Sequence, residues 1–290
     1  MMDREKQISL KHTNISLLET LPKSVSGVNH PKIVALHGWL DNAASFEKCT
    51  QLMTDCHWYS VDCAGHGKSD HRADGSFYHL WDYVLDTVQL IESLNSKVWL
   101  LGHSMGASVA MLVAAVAPDK IHGLVMLDNL GPLTSQPTQR VSQLQHAINK
   151  MGVERNPSRG YESQDYMTQA RMNGFTKLGH NAAQHLVLRG SFLDLDGRYR
   201  WRHDPKLTFP SPFRMDKESV DAFIKAIICP TFILLANQGI YSGCHDQAQE
   251  MIECFQKAEL DWSNGGHHFH LEDDTYQEVT QKVYAFITAH

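Results

Sequence analysis

A chain of 290 residues, 42% hydrophobic and 20% charged, carries enough apolar material for one core or a core with an insertion, which excludes disorder as the default. Its formal charge of −6 argues against nucleic acid as a bulk partner. The six cysteines form no CxxC pair and the 18 histidines no compact run of zinc spacing, so neither a metal knuckle nor a redox dithiol is expected.

The opening MMDREKQISLKHTN lacks the apolar centre of a signal peptide, and no apolar run reaches the roughly 20 residues of a membrane span, so a cytoplasmic protein is expected. Residues 8–21 alternate apolar and polar and predict an antiparallel hairpin at a sheet edge. Short apolar runs then alternate with helical patterns. KIVALHG (32–38), WYSVDCAG (58–65), KVWLLGHS (97–104) and IHGLVMLDN (121–129) read as strands; residues 80–94 and the Ala-rich 104–118 read as helices. Near-continuous apolar strands separated by helices predict an α/β fold, with a mainly parallel sheet covered by helices on both faces.

Residues 133–215 lose this alternation and become polar, with helical pieces broken at Pro137, Pro157, Gly160, Gly174, Gly179 and Gly190. They contain 12 Lys or Arg against 6 Asp or Glu. After them a helix (215–229), a strand (230–236), a helix (244–258) and a closing helix resume the pattern. The organisation predicted is a core of residues 1–132 and 216–290, split after the sixth strand by a mostly helical cap of residues 133–215.

The sharpest local signal is GHSMG, residues 102–106, at the end of a strand and the start of a helix. A strand-to-helix turn this tight needs glycine at both flanks, Gly102 and Gly106, because backbone crowds the serine between them. Ser104 would project its hydroxyl above the sheet, next to the unpaired N–H groups of the helix start. A chance Gly-Ser turn would share the letters but not this setting. The stretch HGWLD, with His37, Gly38 and Trp39, follows the third strand, where a second donor for an oxyanion belongs; the backbone N–H groups of Trp39 and Met105 are assigned as the pair. The Trp39 side chain as plain core is compatible with that role. A serine hydroxyl needs a base, and His267 in NGGHHFHLE is the candidate; for His268 and His270 packing is the expected role.

With HGWLDNAASF, DCAGHGKSD and GHSMG, the order serine, acid, histidine resembles the α/β-hydrolase fold across nearly the whole chain. HGWLDNAASF, WRHDPKLTFPSPFR (201–214) and GGHHFHLE resemble, more narrowly, the serine hydrolase-like proteins. The resemblance implies a triad acid a few residues past strand seven in a G-x-x-D pattern, yet ILLANQGIY (233–241) has Gly239 in that place. Asp128, directly after strand six, is the expected acid, an arrangement similar to that of some haloalkane dehalogenases. Asp246, at a helix start, is the alternative, and helix N-terminal stabilisation is its ordinary reading. Serine in the elbow, rather than aspartate, excludes an alkyl ester on an aspartate nucleophile. Asp62 is read as a structural loop residue, and His103 with the flanking glycines as support for the elbow.

These residues imply a serine hydrolase acting on a carboxylic ester with a small or medium acyl group, without metal or organic cofactor. A lyase or carbon–carbon hydrolase on the same triad, or a ligand-binding receptor on the same scaffold, carries the same motifs. The expected partner is a small-molecule substrate; oligomeric state is not legible. Within the cap, Leu144, Ile148, Tyr166, Met167, Phe175 and Leu186 are candidates for a pocket lining or for packing between helices. Arg198, Arg200 and Arg202 are candidates for favouring an anionic substrate, with a solvated basic surface as the expected reading.

Overall fold

Apolar runs whose residues are buried on both sides become the parallel strands of one sheet. The computed structural model describes residues 4–23, 30–153 and 159–290. In chain order the core begins with β1 (Arg4–Ser9), β2 (Asn14–Thr20), β3 (Lys32–Leu36), α1 (Glu47–Leu52), β4 (His57–Val61) and α2 (Leu80–Ser93). It continues through β5 (Val98–His103), α3 (Met105–Val116) and β6 (Ile121–Leu127). The insertion carries α4 (Arg140–Met151), α5 (Gln164–Met172), α6 (His180–Gly190) and a small hairpin of β7 (Ser191–Leu193) and β8 (Tyr199–Trp201). The chain closes with α7 (Lys217–Ala226), β9 (Thr231–Gln238), α8 (His245–Ile252), β10 (Ala258–Gly266) and α9 (Tyr276–Ala289).

The eight-stranded sheet has the order β1-β2-β4-β3-β5-β6-β9-β10. β1 and β2 pair antiparallel, β2 joins β4 antiparallel, and the remaining neighbours are parallel. Parallel strands need crossovers, so the helices fall on the two faces and two apolar clusters form, one on each side. α3 is apolar all round and lies buried between the sheet, α2 and α7, the place such a helix requires.

The hairpin starts at Arg4 rather than near Ile8. Five of the six β1 residues are exposed, so it has no alternating apolar face to announce it. The helices after positions 215 and 244 end at Ala226 and Ile252, short of the spans expected from composition. Between β6 and α7 the described chain holds α4, α5 and α6 together with the β7–β8 hairpin, which turns over 194–198 with Gly197 at φ 75°. Pro137 begins a 3₁₀ turn, Gly174 follows α5, Gly179 precedes α6 and Gly190 ends it. The break at Pro157 lies outside the described residues.

The fold sets the ends of β3, β5, β6, β9 and β10 side by side, and the site is built from the loops that leave them. The loop after β10 is anchored by Phe269 and Leu271, both fully buried. Burying an aromatic side chain stabilises by roughly 2–3 kcal/mol, enough to hold the flanking histidines in one arrangement.

Candidate active site

At the β5–α3 junction Ser104 adopts φ 51° and ψ −119°, a left-handed conformation forced by the reversal from strand to helix. The flanking glycines are sterically required. A Cβ on Gly102 would lie 2.4 Å from the Ala107 nitrogen, and one on Gly106 would lie 2.0 Å from the Leu36 carbonyl oxygen. Ser104 is tied to the neighbouring strand, since its amide donates to the Leu127 carbonyl at 3.1 Å. Asp128 follows immediately, and its own amide donates to the Leu234 carbonyl at 2.8 Å.

Asp128 is fully buried, and among the described residues its carboxylate has three hydrogen-bond partners. The Ala236 amide donates to Oδ1 at 3.1 Å, the Ile240 amide donates to Oδ2 at 3.1 Å, and His267 Nδ1 donates to Oδ2 at 2.6 Å. A carboxylate acceptor on Nδ1 places the ring proton there and leaves Nε2 as the basic nitrogen. Ser104 Oγ makes no hydrogen bond to His267 among the described residues; such contacts are commonly loose before substrate binds. Asp246 stands exposed in the first turn of α8, the ordinary place for a helix-stabilising acid.

In the loop after β3 the Asp41 amide donates to the Gly38 carbonyl at 3.1 Å, closing a turn around Trp39 and Leu40. The Trp39 and Met105 amides have no acceptor among the described residues. The Trp39 side chain is not core: it is 43% exposed, and its indole Nε1 donates to the Leu207 carbonyl in the insertion at 2.9 Å. His37 pins the turn from below, donating from Nδ1 to the Gly38 carbonyl at 2.7 Å and accepting at Nε2 from the Cys63 amide at 3.0 Å. Burial pushes its pKa down, so it stays neutral and can do both.

Beneath these loops lies a histidine cluster whose roles the sequence did not disclose. His103 Nε2 donates to the His267 carbonyl at 2.8 Å, joining the elbow to the loop that carries the base. His268 Nε2 lies 2.9 Å from Asp41 Oδ2, and His270 Nε2 lies 3.0 Å from Ser45 Oγ. Burial keeps His103, His268 and His270 neutral, with pKa values below the usual histidine range. Burial would raise the Asp41 carboxyl, but His268 and Arg171 beside it hold it well below the usual carboxylate range. Arg171, donating from Nη2 at 2.7 Å, is the durable part of that effect because His268 is itself neutral. Asp41 stands within the HGWLD stretch but was not singled out, and nothing local marks Arg171 of α5 as its partner.

Asp62 is tied down as a structural acid. It accepts from the Ala43 amide at 2.7 Å, the Lys68 amide at 2.8 Å and Arg189 Nη2 of α6 at 2.7 Å. Among the cap candidates, Met167 and Leu186 are buried packing residues, whereas Leu144, Ile148, Tyr166 and Phe175 are exposed. Arg198 and Arg200 pair with Glu162 and with Asp194 and Asp196, and Arg202 donates to the Ser191 carbonyl. Arg198 and Arg200 are therefore paired with carboxylates, and Arg202 is held by a backbone carbonyl, rather than forming an open basic surface.

A family model described as the alpha/beta hydrolase fold matches residues 31–274. The chain belongs to the α/β-hydrolase fold family. This hydrolase-fold chain is 25% identical over 260 residues to a serine hydrolase-like protein of Danio rerio, covering 86% of this chain and 80% of that one. It is 33% identical to a hypothetical protein of Pseudomonas aeruginosa PAO1, whose crystal structure matches with a TM-score of 0.89 over 100% of both chains. A thioesterase domain from the curacin biosynthetic pathway matches with a TM-score of 0.81 at 20% identity, over 98% of this chain and 100% of that one, a likeness of fold. No helix among the described residues is long and apolar enough to cross a membrane.

Proposed function

We propose that the protein is a serine esterase acting on a small or medium carboxylic ester through Ser104, His267 and Asp128. The observation that carries this reading is the Asp128–His267 hydrogen bond of 2.6 Å, with Asp128 fixed by two backbone amides. It orients the imidazole, leaves Nε2 to take the Ser104 proton, and stabilises the imidazolium that forms. Ser104 Oγ attacks the ester carbonyl, and the Trp39 and Met105 amides receive the oxyanion. The alcohol leaves with the proton from His267, and water, activated by the same base, then releases the acid. No step of this route calls for a metal or an organic cofactor. Residues 133–215 act as the cap that selects the acyl group, held to the core through Arg189, Arg171 and the Trp39–Leu207 hydrogen bond.

The deciding experiment is a burst titration with p-nitrophenyl acetate through octanoate, on wild type beside Ser104→Ala. Release that vanishes in the variant identifies the nucleophile, and the preferred chain length sizes the acyl pocket. Absence of Ser104-dependent release with every ester removes the esterase reading. Turnover of cyanohydrins would then identify a lyase, and ligand-dependent thermal stabilisation without turnover a receptor.

A further inference from the structure

Three donor atoms from three loops converge beneath the elbow, although their spacing along the chain carries no metal signature. Asp41 follows β3, His103 ends β5 and His268 follows β10. One oxygen of Asp41 and one nitrogen of each imidazole all lie within 4.8 Å of one another, and all three residues are buried.

The His103 ring makes this more than a coincidence of residue types. Its Nε2 is 2.8 Å from the His267 carbonyl, which can only accept, so Nε2 carries the proton and Nδ1 presents a bare lone pair. That Nδ1 is buried with no hydrogen-bond partner among the described residues and lies 3.9 Å from Asp41 Oδ2. Two electron-rich atoms facing each other away from water are an arrangement that a cation between them would relieve. Gly38 borders the gap: a Cβ there would come within 2.9 Å of His103 Nδ1 and 3.1 Å of Asp41 Oδ2. On its far side Asp41 Oδ2 meets His268 Nε2 at 2.9 Å.

We propose that Asp41, His103 Nδ1 and His268 Nε2 form a binding site for one transition-metal ion of the zinc class. This binding does not depend on the esterase reading. Two imidazoles and a carboxylate suit zinc, with water as a fourth ligand. A ligating imidazole whose other nitrogen donates to a backbone carbonyl is the usual way its tautomer is fixed, and His103 has that arrangement. Tetrahedral zinc holds its ligand atoms about 3.3 Å apart, so the 3.9 Å between His103 Nδ1 and Asp41 Oδ2 closes by roughly half an ångström. Binding requires the single ring proton of His268 to move from Nε2 to Nδ1, which Thr176 Oγ1 faces at 3.5 Å, so the ligating imidazole stays neutral and nothing changes oxidation state.

A crevice between the loop after β3 and the insertion, lined by Leu40, Asp41, Arg171, Trp201 and His203, borders the Asp41 side of the cluster. Arg171 already stands there as a cation, with Nη2 2.7 Å from Asp41 Oδ1 and 3.2 Å from His268 Nε2. It opposes a second positive charge, so Arg171 sets the affinity without supplying a ligand.

The test titrates the full chain, free of any polyhistidine tag, with Co²⁺ as the spectroscopic stand-in for Zn²⁺. One Co²⁺ per chain is expected, with the visible absorption of a four- or five-coordinate site and displacement by Zn²⁺. His268→Gln and Asp41→Asn should each weaken binding by more than about 10-fold. Arg171→Met, which keeps all three ligands, should tighten it by on the order of 10-fold. Absence of stoichiometric Co²⁺ binding in wild type overturns the proposal. So does unchanged affinity in the ligand variants with near-UV circular dichroism intact, or a failure of Arg171→Met to tighten binding. None of these readouts involves ester turnover, so a failed esterase assay leaves them interpretable.

Discussion

Gly239 is bare because the carboxylate of Asp128 fills the volume its side chain would occupy. A Cβ at position 239 would lie 2.3 Å from Asp128 Oδ2, 2.5 Å from Oδ1 and 2.6 Å from Cγ. The place where hydrolases of this fold commonly carry their acid is thus taken by a carboxylate reaching across from the end of β6. Gly239→Ala should therefore displace Asp128, lowering ester turnover at least 10-fold and destabilising the fold by about 1–3 kcal/mol through overpacking. Steady-state kinetics beside urea unfolding would measure both, and wild-type turnover in this variant would contradict the assignment.

Asp128→Asn should lower turnover by about 10³–10⁴-fold, as loss of an orienting acid does elsewhere. Asp246→Asn removes only an exposed helix-end charge and should leave turnover within about two-fold. The reverse pattern of rates would move the acid to α8.

Arg189 of α6 binds the buried Asp62 and also reaches Glu5 of β1, so one side chain joins the insertion to the sheet edge. Burial would raise the Glu5 pKa, but hydrogen bonds from Arg189, Lys68 and Ser16 bring it to about 2. Arg189→Met leaves Asp62 buried without its counter-charge and should cost about 3–5 kcal/mol in urea unfolding. Glu5→Gln, at a side chain 41% exposed, should cost no more than about 1 kcal/mol. Equal losses from both would mean that Glu5, not Asp62, anchors the contact.

Acid should destabilise the fold earlier than carboxylates alone would cause. His37, His66, His103, His268 and His270 are held neutral by burial, below the ordinary histidine value of 6.5. Between their folded and unfolded pKa values the unfolded chain binds more protons, so their contribution is full above pH 6.5 and falls as pH drops below it. Each such group contributes a slope of up to about 1.4 kcal/mol per pH unit. Urea midpoints at several pH values from 8 to 5 should stay level down to about 6.5 and then decline; a flat profile to pH 5 would refute this.

What the sequence made legible follows from how each element is buried. The parallel strands announced themselves because Ile33 to Leu36 and Leu124 to Leu127 are buried on both faces. β1 did not, because its side chains face water and carry no pattern. The elbow could be read locally, since Gly102, Ser104 and Gly106 sit within one turn. Asp128 could be reached only by comparison with a fold whose acid has two possible strands. Contacts spanning more than a hundred residues were out of reach: Asp41 with Arg171, Asp41 with His268, and Asp62 with Arg189. Spacing along a chain says nothing about them.

Three of the four described non-glycine residues with positive φ, Leu40, Ser104 and Asp128, stand in the loops of the candidate site. Each such conformation costs on the order of 1–3 kcal/mol, held in place by the surrounding sheet. Selection of this protein for heat resistance alone would therefore find relief at those positions first, where glycine fits without strain. A thermostable lineage obtained that way would keep its helices and sheet intact while shedding its chemistry, and counter-selection for turnover would have to accompany every round.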